Sequence, residues 1–268
     1  MSDRDLLYVK DLCIGIPGEQ FNTCLVDNVS FSLNPGEVLG ITGQSGSGKT
    51  LTAMALAGIL PRSLAVLGGH VRFMGKPILP EKGAQKNLVP GRDVLMLSQS
   101  PARALDPWVK IGIHLIDAVK AAIKKGSRIR EKNPENTAIY ALETVGLGAW
   151  TLDRYPFELS GGQCRRCLMA LAMAVRPRIL IADEPATGQD DDNRALVERC
   201  ILNLTRNAGT AVIVISHDLR GLQKLASELI VIFNGSQIEA GPVRDMIDNP
   251  CHVHTRDLVY AMKFLEGA

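Results

Sequence analysis

The chain has 268 residues, 46% of them hydrophobic, which suits one large domain or two closely packed subdomains with a substantial core. Its 30 basic and 28 acidic residues leave a formal net charge of +2, and aromatic residues make up only 4%. Neither value is typical of a dedicated nucleic-acid binder, and the composition also excludes disordered and fibrous classes.

The chain shows no pattern of a targeting or membrane-spanning segment. Its first residues alternate in charge, whereas a signal peptide needs a basic stub and an apolar run. The most apolar stretch, residues 168–182, is interrupted by Arg176 and Arg178 and is shorter than the ~20 apolar residues of a membrane span. The six cysteines are scattered, unlike a secreted disulfide framework, so we expect reduced thiols in a cytosol.

The N-terminal third contains short runs typical of β-strands. They cover residues 6–9, 29–33 and 38–42, and a strand pair near residues 70–80 is expected to turn at residues 75–77. The run at 38–42 ends in glycines and leads into residues 49–57, which predicts a strand, a loop and a helix in succession.

The middle of the chain, residues 101–175, has helical character. Ile111, Leu115 and Val119 recur at helical spacing. Asn133, followed by a proline, predicts the start of a second helix, and Ser160 predicts the start of a third. The apolar runs at 179–182 and 211–215 are then typical of strands buried on both faces of a parallel sheet, with a helix between them. A strand-helix-strand unit of this kind indicates the α/β class.

Residues 43–50 match the phosphate-binding loop of NTPases in full. Glycines allow successive backbone N–H groups to surround a phosphate, and the following helix adds the positive end of its dipole. Lys49 supplies a cation for the β- and γ-phosphates, and the Thr50 hydroxyl is placed to bind Mg²⁺. The predicted ATP-binding residues are Gly43, Gln44, Ser45, Gly46, Ser47, Gly48, Lys49 and Thr50.

Two carboxylates follow the apolar run at 179–182. Asp183 suits Mg²⁺ binding through water, as the acidic residue at the strand end of P-loop NTPases does. Glu184 is expected to face the other way and to accept a proton from an attacking water. The pair predicts ATP hydrolysis, with a non-hydrolysing binding module as the alternative.

A third motif lies at the start of the third predicted helix, where Ser160 and glycine N–H groups form a second anion site. It consists of Leu159, Ser160, Gly161, Gly162 and Gln163. With Gln99 before it and His217 after the second buried run, all these motifs occur in order. Across almost its whole length the chain therefore resembles an ATP-binding subunit of an ABC transporter.

This resemblance implies a fold and a set of residue roles. The fold is α/β, with a P-loop NTPase core on a parallel sheet, an N-terminal antiparallel β subdomain and an inserted α-helical subdomain. We expect a single ABC ATPase domain over 1–268, in which 1–100 and 176–268 form the core with the β subdomain and 101–175 form the helical signature subdomain. The resemblance implies that Thr50, Gln99 and Asp183 bind Mg²⁺, and that Glu184 and His217 are catalytic. Residues 159–163 would contact the ATP held by a partner chain.

The same resemblance implies partners and a location. The loop that contains Asp190 would lie at a dimer interface with a second, homologous ATPase subunit, which the resemblance favours as a related chain over a second copy. Two membrane permease subunits and an extracytoplasmic substrate-binding protein would complete the assembly at the cytoplasmic face of the bacterial inner membrane. ATP and Mg²⁺ are the expected cofactors, and no nucleic acid is expected.

Within the family, the chain is similar to the oligopeptide, dipeptide and nickel import branch, on residues 182–185, 155–156 and 249–258. Residues 58–61 and 155–158 are most similar to the nickel-type subunit, and many peptide-type relatives carry a cysteine cluster in a longer tail. The sequence therefore favours nickel or a metal chelate as cargo, with a dipeptide or oligopeptide importer as the alternative. A clamp-type DNA-repair ATPase is more remote, because it needs a long coiled coil between the phosphate loop and residues 159–163.

Three features depart from the expected pattern. Ile16 aligns with the family's adenine-stacking aromatic residue, for which Phe21 is the candidate substitute. Gln189 replaces a leucine that is usual at the dimer seam, which puts communication between sites in question. Cys164 and Cys167 have the spacing of metal ligands, but no second pair is apparent beside them, so we expect packing thiols rather than a zinc site.

Overall fold

A computed structural model describes residues 5–18, 21–79, 88–98, 104–129, 131, 133–188 and 190–264. The described strands form one sheet in the order β5-β4-β1-β2-β10-β9-β3-β8-β7-β6. Their bounds are β1 (Leu7–Ile16), β2 (Thr23–Leu33), β3 (Val38–Thr42), β4 (Ala65–Phe73), β5 (Lys76–Leu79), β6 (Val94–Leu97), β7 (Ile179–Asp183), β8 (Ala211–Ile215), β9 (Glu228–Phe233) and β10 (Ser236–Pro242).

One half of the sheet is the parallel core that the sequence predicts. Strand β3 pairs in parallel with β8 and β9, and β7 pairs in parallel with β8 and β6. Every residue of β3, β7 and β8 is buried. Continuous apolar runs suit this position, because both faces of the strands are covered by other elements. The predicted α/β fold is confirmed.

The other half is the predicted antiparallel β-structure, but its strands are longer than expected. Strand β1 pairs with β2 and β4, and β4 pairs with β5. Residues 10–16 and 23–28 were not predicted as strand because register shifts and the positive φ angles of Asp11 (51°) and Asn28 (56°) interrupt the alternation of side chains.

The expected turn at residues 75–77 is corrected to Met74 and Gly75. Both have positive φ angles, of 50° and 77°, which is the backbone of a tight two-residue hairpin turn. Lys76 already belongs to β5, where it pairs with Phe73.

The helices of the described chain are α1 (Lys49–Ala57), α2 (Ile111–Lys124), α3 (Pro134–Thr144), α4 (Gly161–Val175), α5 (Asp191–Ala208), α6 (Leu219–Leu225), α7 (Val243–Asp248) and α8 (Val253–Phe264). The three helices predicted between 101 and 175 are confirmed as α2, α3 and α4, which pack against one another. Asn133 caps α3 by accepting a hydrogen bond from the backbone N–H of Glu135. None of the described helices combines the length and apolar character needed to cross a membrane. The division at residues 100 and 175 stays a prediction.

Asp93 is a fully buried carboxylate that joins the starts of β6 and β7. It accepts hydrogen bonds from the backbone N–H of Val89 at 3.0 Å and from Arg92 Nε at 2.9 Å. Arg178, just before β7, places its Nε 3.3 Å from the same carboxylate. Removing one member of such a buried group leaves its partners with uncompensated charge.

Asp93→Ala should therefore lower the free energy of unfolding by about 3–5 kcal/mol, measured by urea denaturation followed by circular dichroism. Asp117→Ala is the matched control, because Asp117 pairs with Lys120 on an exposed helix face, where an ion pair contributes about 0–1 kcal/mol. If the two variants lost equal free energy of unfolding, the buried contacts of Asp93 would not be the stabilising feature.

Candidate nucleotide site

The phosphate-binding loop connects β3 to α1 at the centre of the parallel sheet. Gly43, Gly46 and Gly48 have φ angles of 143°, 79° and 99°. A Cβ atom at Gly43 would lie 1.9 Å from the carbonyl oxygen of Ile232, and one at Gly48 would lie 2.6 Å from Val26 Cγ2. Only glycine fits at these two positions, because the loop lies directly against β9 and β2.

Lys49, the first residue of α1, is buried under this loop. Its ammonium group donates hydrogen bonds to the carbonyl oxygens of Gly43 at 2.8 Å and Gln44 at 2.7 Å. Burial lowers the pKa of Lys49, and the nearby carboxylates of Glu184 and Asp183 oppose that shift. The lysine is thus anchored beside the exposed part of the loop.

Ser47 adds a further polar atom to the loop. Its hydroxyl is buried and has no hydrogen-bond partner among the described residues. Buried hydroxyls normally have a partner, so this atom suits a loop that binds an oxygen-rich ligand.

Asp183 ends β7 and faces α1. The Thr50 hydroxyl donates a hydrogen bond to Asp183 Oδ2 at 2.8 Å. Burial raises the pKa of Asp183, the hydrogen bond from Thr50 lowers it, and Glu184 raises it again. An aspartate and a hydroxyl at the end of a phosphate-binding loop are oxygen donors of the kind that Mg²⁺ prefers, so these residues fit the ion.

Glu184 follows Asp183 and lies at the centre of a second set of contacts. Its φ of 51° places it in the left-handed region, which is uncommon for a residue with a side chain. His217 Nδ1 lies 2.8 Å from Glu184 Oε1, and the His217 backbone N–H donates to the same oxygen at 3.2 Å. The Glu184 side chain is only 13% exposed, whereas the His217 side chain is 65% exposed.

Thr187 and Ser216 also hold Glu184, and neither was predicted from the sequence. The Thr187 hydroxyl donates to Glu184 Oε2, and the Ser216 hydroxyl lies 3.4 Å from the same oxygen. Ser216 could have been suggested from the sequence, because it directly precedes His217. The position of Thr187 depends on the left-handed turn at Glu184, which no local pattern predicts.

The motif at residues 159–163 forms the start of α4, where Ser160 and Gly161 are exposed. Ser160 accepts a hydrogen bond from the backbone N–H of Gln163 at 3.2 Å, and the Gln163 side chain accepts one from Ser160 N at 2.9 Å. This reciprocal cap fixes the helix end, while a Cβ at Gly161 would meet nothing within 4 Å. In the described part of the chain, no hydrogen bond joins this motif to the phosphate-binding loop.

The remaining predicted positions are only partly described. Gln99 and Gln189 lie outside the described residues. Asp190 caps α5 by accepting a hydrogen bond from Asn193 N at 2.8 Å. Ile16 is 47% exposed and Phe21 is 87% exposed, so both side chains are accessible to a ligand.

A family model described as "ABC transporter" matches residues 26–187 of the chain. The chain belongs to this family. It is 35% identical over 259 residues to the probable D,D-dipeptide transport ATP-binding protein DdpD of Escherichia coli, with 96% of this chain and 78% of DdpD covered. The peptide transport system ATP-binding protein SapD of Salmonella typhimurium is 32% identical, with 96% of this chain and 79% of SapD covered.

A solved structure shows the same fold. The ATP-binding cassette MJ0796, in a dimeric post-hydrolysis state bound to ADP and Pi, is 20% identical and has a TM-score of 0.74, with 89% of this chain and 99% of that one covered. As an ATP-binding cassette of the ABC transporter family, the chain is an ATPase, and the predicted enzyme class is confirmed.

Gly48→Ala should weaken ATP binding by about tenfold or more, because the new Cβ meets Val26 and the left-handed backbone disfavours a side chain. Direct titration with ATP in the absence of turnover measures the effect. Gly58→Ala is the matched control: Gly58 follows the same helix at a φ of 71°, but a Cβ there meets nothing within 4 Å. ATP affinity should stay within about twofold in that control, and an equal loss in both variants would count against the contact with Val26.

Proposed function

We propose that this chain binds MgATP on the phosphate-binding loop, hydrolyses it with Glu184 as the general base, and thereby powers a multi-subunit peptide importer. The observation that carries the proposal is the enclosed Glu184 carboxylate in contact with the exposed His217, one residue after the Asp183 that contacts the loop. These contacts support a carboxylate that can accept a proton next to the residues proposed to bind phosphate.

The loop residues, from Gly43 to Thr50, are proposed to bind the phosphates. The backbone N–H groups at the start of α1 face the phosphate oxygens, and Lys49 balances their negative charge. Thr50 and Asp183 would hold Mg²⁺, with Gln99 as the third expected ligand, and the ion would neutralise charge on the β- and γ-phosphates. Phe21 and Ile16 are the accessible candidates for contact with the base.

Glu184 is proposed to take the proton from the attacking water. Donors from Thr187, Ser216 and His217 hold its two carboxylate oxygens, so the group is fixed in orientation. A general base must lie within hydrogen-bonding reach of its proton in a defined geometry. His217 is proposed to contact the γ-phosphate with its other ring nitrogen, since Nδ1 contacts Glu184 and the ring is largely exposed.

A second cassette is proposed to complete the site. Ser160 and the N–H groups of Gly161 and Gly162 start α4 at an exposed surface, where they would bind the γ-phosphate held by the partner chain. Asp190 would lie in the loop at that interface. MJ0796, which shares this fold, was solved as a dimer. The partner is proposed to be a related chain, with a second copy of this chain as the alternative.

The transporter's other subunits are proposed to be two membrane permeases and an extracytoplasmic binding protein, with this chain peripheral at the cytoplasmic face of the bacterial membrane. An exposed aromatic cluster supports a protein partner at the helical part of the chain. Trp108 is 81% exposed, and its ring lies 6.0 Å from that of Phe157, which stacks on Tyr155 at 5.4 Å. Exposed aromatic clusters are typical of protein interfaces, so we assign this one to a permease.

The cargo is proposed to be a dipeptide or oligopeptide, the alternative to nickel that the sequence leaves open. DdpD and SapD are named for D,D-dipeptide and peptide transport. The preference for nickel rested on residues 58–61, 155–158 and the short tail, and neither of these relatives is named for nickel. The names therefore support the peptide alternative over nickel.

Glu184→Gln should reduce ATP turnover by about 10²–10⁴-fold while ATP affinity stays within about twofold, because the amide cannot accept the proton of the attacking water. Turnover is measured by phosphate release in the assembled transporter, and affinity by titration. Glu143→Gln, an exposed glutamate on α3, is the control and should hydrolyse ATP at the wild-type rate. Turnover within about threefold of wild type in Glu184→Gln would remove Glu184 as the base.

Deletion of the gene should abolish uptake of labelled di- and oligopeptides and leave nickel-dependent enzyme activity normal under limiting nickel. Wild-type chain supplied in trans should restore uptake, and the Glu184→Gln chain should not, because import depends on hydrolysis. Normal peptide uptake together with nickel-dependent activity that falls and recovers with excess nickel would instead establish the nickel importer.

A further inference from the structure

Two cysteines and an aspartate lie close together in the antiparallel half of the sheet. They precede the phosphate-binding loop in the sequence and are not part of it. Cys13 Sγ on β1 lies 2.8 Å from Cys24 Sγ on β2. One side-chain donor atom each from Cys13, Cys24 and Asp27 lies within 4.8 Å of the other two. Cys24 and Asp27 are exposed and Cys13 is half-buried, so the cluster is open to solvent on one side.

Irregular pairing of β1 with β2 creates this cluster. Cys24 is opposite Gly15, not opposite Cys13, and the register shifts between Leu12 and Gly15. Asp27 is followed by Asn28, whose left-handed backbone bends β2 at the same level. The two thiols therefore become neighbours although their separation of 11 residues has no recognised ligand spacing.

The donor set indicates the class of ligand. Sulfur donors favour thiophilic metals such as zinc, whereas Mg²⁺ and Ca²⁺ prefer oxygen donors alone. Zinc accepts cysteine sulfur together with carboxylate oxygen, and a site with three protein ligands keeps a fourth position for water. We propose that Cys13, Cys24 and Asp27 form a binding site for a thiophilic divalent cation, with Zn²⁺ as its representative.

A cation bound at this site would affect the strand that supports the phosphate-binding loop. The strand segment between Cys24 and Asp27 packs on the phosphate-binding region, since Val26 Cγ2 lies 2.6 Å from the Cβ position of Gly48. Its neighbour Leu25 places its carbonyl oxygen 2.5 Å from the Cβ position of Gly235. A cation that links β1 to β2 would therefore stabilise the strand that supports the loop. This site is independent of the proposed cargo and of the Mg²⁺ ligands.

The test uses the purified full-length chain in a phosphine reductant, without nucleotide. Zn²⁺ affinity is measured by competition with a chromophoric chelator, and Co²⁺ replaces Zn²⁺ to show thiolate-to-metal charge-transfer absorption. We expect one high-affinity Zn²⁺ per chain, a Co²⁺-thiolate band, and a rise in Tm of about 5 °C at a hundredfold excess of Zn²⁺ over its Kd.

Variants assign the site. Cys24→Ser should remove the high-affinity Zn²⁺ and the Co²⁺-thiolate band, and Cys13→Ser should do the same. Asp27→Asn should weaken Zn²⁺ binding by about tenfold or more while the Co²⁺-thiolate band remains, because both sulfurs stay in place. Cys251→Ser removes another exposed thiol, at the other end of the chain, and should bind Zn²⁺ like the wild type.

Three results would overturn the proposal. The first is that the reduced wild-type chain does not bind Zn²⁺ stoichiometrically. This includes the outcome in which glutathione disulfide oxidises Cys13 and Cys24 to a disulfide but the reduced thiols bind no metal. The second is wild-type Zn²⁺ affinity in a Cys24→Ser chain that retains its circular dichroism spectrum. The third is an equal loss of affinity in Cys251→Ser.

Discussion

Parallel pairing of β3 with β8, and of β8 with β7, brings the carboxyl ends of three buried strands to one edge of the sheet. The hydrogen bonding continues past the strand ends, because Ser216 N donates to the Ile41 carbonyl at 3.1 Å and Glu184 N donates to the Ile215 carbonyl at 2.9 Å. The loops that leave these strands are thereby fixed beside one another. Loops at the carboxyl ends of parallel strands are the usual ligand position in α/β folds. The distances from Asp183 to Thr50 and from Glu184 to His217 both depend on this register.

The same edge separates two adjacent carboxylates into different environments. Asp183 is still in the strand, buried against Thr50, and burial raises its pKa. Glu184 leaves the strand through a left-handed backbone, which costs about 1–3 kcal/mol and is held by its contacts with Thr187, Ser216 and His217. Backbone strain of this kind is common at active sites, where the surrounding contacts maintain it. One carboxylate is thus oriented towards the loop and the other towards the histidine.

The sequence predicts most of what local patterns determine. Buried parallel strands have continuous apolar runs, helix starts have capping residues such as Asn133 and Ser160, and residues 43–50 have a fixed spacing. Strand β9 was not predicted, although residues 229–233 form an apolar run of the same kind. The sequence does not predict the contacts of Thr187 with Glu184 and of Cys13 with Cys24. They depend on a positive φ and on bulged pairing, which no short pattern encodes.

Exposure explains why a single chain holds only part of the proposed site. The Glu184 carboxylate is enclosed by its own chain, whereas the His217 ring, the tip of the loop at residues 44–46 and the start of α4 are exposed. Electrostatic stabilisation of a transition state is strong only where water is excluded. A second cassette that covers these surfaces would exclude water and add the N–H groups at the start of its own α4. In this proposal the chain supplies a fixed base and phosphate-binding groups, and dimerisation supplies the low-dielectric surroundings in which they act.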